Sequence, residues 1–151
     1  MSELRELYQQ VILDHNKTPR NFGKLDDANH HQEGFNPLCG DHLHVYLHLD
    51  DEEVIEGISF EGSGCAISRA SASLMTEAIK GKSVAEAMEL FKRFQELVTS
   101  STDVAAQTEG VGKLAVLAGV REFPMRVKCA TLAWHTMKAA AEGEEEAITT
   151  E

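Results

Sequence analysis

The chain has no C-x-x-C pair, no apolar run long enough to span a bilayer, and no excess of positive charge. Lysine and arginine number 14 against 25 acidic residues, for a formal net charge of −11. Such a surface repels the phosphate backbone of nucleic acid and the headgroups of anionic lipid, so neither is an expected partner. A protein with a basic face suits it better. No stretch approaches the ~20 apolar residues of a membrane-spanning helix. The opening MSELRELYQQ does not read as a signal peptide, and we expect a cytoplasmic protein. Long heptad patterning is missing, which argues against a coiled-coil dimer. There is no internal repeat and no linker long enough to divide the chain. What is present, 151 residues of which 42% are hydrophobic, suits one globular domain with a substantial core.

Cysteine is scarce as well, with Cys39, Cys65 and Cys129 the only three. An odd count without a secretory signal disfavours a disulfide framework. Their wide separation makes a weak metal signal by spacing alone, and each has an ordinary alternative as a small buried hydrophobe. Their local settings carry more information.

The chain opens with Leu4, Leu7, Tyr8, Val11 and Ile12 at helical spacing, an amphipathic helix from Ser2 to about His15. Pro19 and Gly23 punctuate the stretch after it, and LDDANHHQEGFNP is polar enough to read as loop or a short edge strand. Two strands are expected at Asp41–Leu49 and Val54–Glu61, joined by the acidic turn DDEE. Past GSGC the pattern turns helical from Ala66 to Ile79, with Gly81 as the stop. Ser83 and Glu86 form a capping box for the next helix, VAEAMELFKRFQELV. After the polar loop TSSTDVAAQTEG come a short apolar helix near Leu114–Ala118 and a final helix from about Pro124 to Ala141. The acidic tail, residues 143–151, is expected to be frayed or flexible beyond a single domain over residues 1–142. Strands early and helices late predict an α+β fold, helices packed on a small antiparallel sheet.

The segment NPLCGDHLHVYLHL gathers a cysteine, an aspartate and three histidines. Strict alternation puts Leu43, Val45, Leu47 and Leu49 on a buried face, and His42, His44, Tyr46 and His48 on a wet one. Cys39 and Asp41 extend the buried face, about 6.6 Å apart along a strand, close enough to bend toward one ion. The histidines would have to reach through the sheet, so we read them as solvated strand residues. Cys65 follows Gly62 and Gly64 at a strand-to-helix turn, where free N–H groups and the positive end of the helix dipole favour a thiolate. Cys129 lies within the first turns of the last helix, flanked by Arg126 and Lys128, which either favour its anionic form or are plain surface charge. Three thiolates and a carboxylate make a complete tetrahedral set for Zn²⁺ and equally serve an iron–sulfur cluster.

Four strings, ILDHNKTPRNFG, NPLCGD, FEGSGCAISRASASLM and RVKCATLAW, together resemble the IscU/SufU family of iron–sulfur assembly proteins. The resemblance runs from about Leu7 to Ala140, with each cysteine in its family context and in order. It implies a compact α+β domain with Cys39, Asp41, Cys65 and Cys129 clustered as the metal site. Scaffold members of the family carry a histidine immediately before the third cysteine, whereas this chain has Lys128, a poor ligand while protonated. The stretch VGKLAVLAGVREFP resembles the SufU branch of Gram-positive bacteria. That branch implies a zinc-dependent acceptor of persulfide sulfur from a pyridoxal-phosphate cysteine desulfurase of the SufS type, relaying it toward a downstream Fe–S scaffold. Cys39, in a loop next to Gly40, would be the acceptor that leaves the zinc to react. Asp41, Cys65 and Cys129 would keep the metal, and Arg126 and Lys128 would steady the freed thiolate. The alternatives are a scaffold assembling [2Fe–2S] on the same residues, and a non-catalytic zinc-stabilised interaction domain. A Cys39 hydrolase is disfavoured because no histidine shares the cysteine's face.

Overall fold

The computed structural model describes residues 2–101, 103, 108–143 and 146–149. Part of the polar loop before the short apolar helix, and part of the acidic tail, lie outside the described residues. In chain order the elements are α1 (Ser2–Lys17), β1 (His30–Asn36), β2 (Asp41–Leu49), β3 (Ile55–Ser63), α2 (Ala66–Ile79), α3 (Val84–Thr99), a 3-10 helix (Gly112–Glu122), α4 (Pro124–Glu142) and β4 (Ile148–Thr149). The sheet runs β3-β2-β1-β4, antiparallel except for the short β1–β4 pair, with the helices covering its buried face. This is the expected α+β architecture, made mixed by two residues of the tail. No described helix is long and apolar enough to cross a membrane.

β2 is the central plank. Its alternation is complete, with Asp41, Leu43, Val45, Leu47 and Leu49 buried and the residues between them half-exposed. Each fully buried aliphatic side chain of this kind contributes ~1.5–3 kcal/mol relative to leaving it in water. The predicted capping box is present, Glu86 N donating to Ser83 Oγ at 3.1 Å and Ser83 N to Glu86 Oε1 at 3.1 Å. The apolar stretch near Leu114–Ala118 is the middle of the 3-10 helix, which buries Leu114, Val116, Leu117 and Val120.

Strand β1 departs furthest from the sequence expectation. HHQEGFN is neither loop nor edge but strand β1, between β2 and β4. Its buried positions are Gln32, Gly34 and Asn36, so it carries no apolar alternation to announce it. Gly34 is required there because a Cβ would collide with Thr136 of α4. Helix α4 therefore lies directly on β1, with Trp134 in the core stacked on Phe94 at 5.0 Å. That close packing brings the start of α4 over the β1–β2 turn.

Candidate metal centre

Three chain segments deliver the cysteines to one end of the sheet. The β1–β2 hairpin pairs Asn36 with Asp41 and closes through the turn that carries Cys39. Gly40 takes φ 72 in that turn, a left-handed conformation open to glycine without a side-chain penalty. Cys65 sits where β3 hands over to α2, and Cys129 in the second turn of α4.

The sulfur of Cys39 lies 3.3 Å from that of Cys129. Donor atoms of Cys39, Asp41 and Cys129 all fall within 4.8 Å of one another. Cys65 Sγ is 3.9 Å from Asp41 Oδ2, and its thiol also meets that of Cys129. The structure thus brings together all four side chains that the sequence suggested.

The accessibility of the four differs sharply. Cys39 is exposed, Cys65 half-buried, and Cys129 only 2% exposed, as is Asp41. Asp41 is held by the Cys65 backbone N–H, which donates to Oδ1 at 2.8 Å. A Cβ on Gly64 would stand 2.7 Å from the same Oδ1, so glycine lets the chain pass tightly over the carboxylate. Cys65 is the N-cap of α2, accepting from Ser68 N at 3.4 Å. Its pKa is lowered to about 7, first by the hydrogen bond from Cys129 and then by the N–H groups of Ser68 and Ile67, against the cost of burial. Cys129 is pushed the other way by its contact with Cys65, by burial and by its contact with Cys39.

The expectation that Arg126 and Lys128 draw Cys129 toward the thiolate is not what sets this direction. Arg126 is exposed and places its guanidinium 4.5 Å from the centre of the Phe123 ring. Lys128 is half-buried beside Cys129 in the chain.

Asn36 is the residue that sequence reasoning missed. It is fully buried, and its Nδ2 lies 3.4 Å from both Asp41 Oδ2 and Cys129 Sγ. Its Oδ1 has no hydrogen-bond partner among the described residues. A buried amide that donates to two acceptors of the centre ties the hairpin strand to helix α4. The donor set, soft sulfurs with one carboxylate, is chemically fitted to a tetrahedral borderline cation.

The fold and this cysteine–aspartate cluster define a NifU-like N-terminal domain: the chain matches that family over residues 7–142 and belongs to it. It is 44% identical over 140 residues to the iron–sulfur cluster assembly scaffold protein IscU of Streptococcus pyogenes serotype M1, covering 93% of this chain and 86% of that protein. It is 41% identical over 144 residues to the zinc-dependent sulfurtransferase SufU of Bacillus subtilis strain 168, covering 95% of each. Among solved structures, a protein described as a candidate iron–sulfur cluster assembly scaffold for the SUF system of Fervidobacterium islandicum AW-1 superposes with a TM-score of 0.79 at 34% identity. That superposition covers 91% of this chain and 98% of the other. The family of iron–sulfur assembly proteins inferred from the motifs is therefore the right one.

Proposed function

We propose that this chain is a zinc-dependent sulfurtransferase of the cytoplasm. It accepts persulfide sulfur from a pyridoxal-phosphate cysteine desulfurase of SufS type and relays it to a downstream iron–sulfur scaffold. The observation that carries the reading is the meeting of one exposed thiol, Cys39, with two sheltered ones and a buried carboxylate. Lys128, standing where scaffold members have a ligating histidine, favours the acceptor over the scaffold.

Cys39, Asp41, Cys65 and Cys129 would hold the zinc. Bound there, Zn²⁺ supplies charge that keeps the sulfurs as thiolates near neutral pH. The chain's own residues do the rest. The Cys39 thiolate attacks the outer sulfur of the desulfurase persulfide, a new S–S bond forms on Cys39, and the desulfurase thiolate leaves with the electron pair of the broken bond. No external oxidant or reductant enters this exchange. Leu38, Phe123 and Met125, neighbours in sequence of the centre, are exposed apolar side chains suited to a partner's surface. The net charge of −11 suits a partner with a basic face.

Metal analysis and a visible spectrum of freshly isolated protein test the proposal together. A colourless chain with one zinc that accelerates desulfurase turnover is expected. The S. pyogenes relative's name favours a second reading, a scaffold. A brown protein passing a [2Fe–2S] cluster to an apo-acceptor, with no effect on the desulfurase, would replace the acceptor by that scaffold.

We further assign Arg126 and Lys128 the task of steadying the Cys39 thiolate or persulfide once it leaves its neighbours. Arg126→Gln with Lys128→Gln is expected to slow sulfur transfer by ~3–10-fold with zinc content unchanged, the range of one or two surface charges acting on an anion. An unaltered single-turnover rate removes the assignment.

A further inference from the structure

The outer face of the sheet carries a second group of metal-ligating side chains, far from solvated isolation. His42 and His44 stand two residues apart on the half-exposed side of β2. Strand β1, which the sequence did not announce, sets Glu33 directly opposite His44. Glu33 Oε2 is 2.8 Å from His42 Nε2 and 3.8 Å from His44 Nε2. The three ligand atoms lie within 4.8 Å of one another. Ligand atoms ~2.1 Å from a common ion stand about 3 to 3.4 Å apart, so small side-chain adjustments suffice to close on one.

The surroundings fix the rings. His44 presents Nε2 to Glu33 because its other nitrogen, Nδ1, is engaged at 3.0 Å by His31 Nε2. A hydrogen bond on the far ring nitrogen is what orients metal-binding histidines in general. His42 is stacked on Phe35 at 4.3 Å, and His31 on Tyr46 at 4.6 Å, so the rings of both strands stand in a packed row. Two imidazoles and a carboxylate on one side of an ion leave positions open to water. This donor set suits Zn²⁺, Ni²⁺, Cu²⁺ or Fe²⁺ rather than Mg²⁺ or Ca²⁺. The net charge of −11 raises the local cation concentration.

We propose that His42, His44 and Glu33 form a second, exchangeable site for a divalent transition-metal ion on the open face of the sheet, with His31 as the positioning residue. It is independent of the cysteine centre, whose Asp41 points to the buried side of the same strand.

The test is calorimetric titration of tag-free full-length protein, supplied beforehand with one equivalent of Zn²⁺, using Ni²⁺ as the probe. One saturable equivalent of Ni²⁺ is expected, with no zinc released. His42→Gln with His44→Gln should weaken Ni²⁺ by more than ~10-fold, and His31→Gln by about 10-fold, the usual cost of losing an orienting partner. Paramagnetic broadening by Ni²⁺ in the unsubstituted protein, read by NMR, should concentrate on β1 and β2 residues of the open face. That measurement needs no variant to fold. Absence of a saturable equivalent, broadening elsewhere, or equal Ni²⁺ affinity in a folded double variant each overturns the site.

Discussion

Cys39→Ser is expected to reduce stimulation of the desulfurase to the level measured with no acceptor added, a loss of at least ~100-fold, while the chain stays folded. Of the three cysteines, only Cys39 is exposed, in the hairpin turn; Cys65 is half-buried and caps helix α2, and Cys129 is buried beneath the hairpin. A persulfide carried by another protein meets the exposed turn of Cys39 before the other two. Serine keeps the shape of the turn but offers a hydroxyl, which is not a nucleophile toward sulfur at neutral pH. The exposed turn contributes little burial, so most of the folding energy is untouched. Cys129→Ser contrasts with it, placing a hydroxyl among buried acceptors and disturbing the packing of α4 on β1. That variant should lose metal and stability together. Alanine production from cysteine, with zinc content and thermal melting on the same samples, separates the cases. Should Cys39→Ser stimulate the desulfurase in proportion to its folded fraction, Cys39 is no acceptor and the chain is a non-catalytic interaction domain.

The parts of this centre that could be read from the sequence are those whose local settings are special. Asp41 begins an alternating strand, Cys65 follows Gly64 at a helix start, and Cys129 lies in the first turns of the last helix, so each stood out before any fold was known. Strand β1 did not stand out, because its inward positions are Gln32, Gly34 and Asn36. Hydropathy has no way to mark a strand whose buried face is polar or bare. Yet those choices have tertiary causes: Gly34 makes room for Thr136, and Asn36 reaches the sulfur of Cys129. The signal was the alternation itself, small or amide residues at every second place in HHQEGFN. Missing that strand also hid Glu33, and with it the reason to take the histidines of β2 as more than solvated side chains. β4 was beyond reach for a different reason, since two residues paired parallel to β1 have no local pattern at all.

Removing the metal is expected to lower the melting temperature of the reduced protein by at least about 8 °C. A ligand present at a thousand times its dissociation constant stabilises the folded state by ~4 kcal/mol, and a domain of this size shifts by ~2–4 °C per kcal/mol. The structure says why the apo centre is a weak point. Asp41 is buried beside two thiols, and the contact between those sulfurs lowers the pKa of Cys65 to about 7 while it raises that of Cys129. These two shifts act oppositely with pH. The lowered pKa of Cys65 adds apo stability that is present above its unfolded value of 9.0 and lost as pH falls through about 7. The raised pKa of Cys129 adds stability present below its unfolded value and lost as pH rises. Metal binding sets both aside, because it takes every sulfur as the thiolate and releases the protons. The gap between loaded and stripped protein should therefore widen from pH 6 to pH 8, and readdition of one equivalent of Zn²⁺ should restore the higher value. Calorimetric melts of chelated and reloaded samples at those two pH values measure it. Equal melting temperatures at both, with zinc bound at one equivalent in the reloaded sample, would mean that the ion sits somewhere other than among these four side chains.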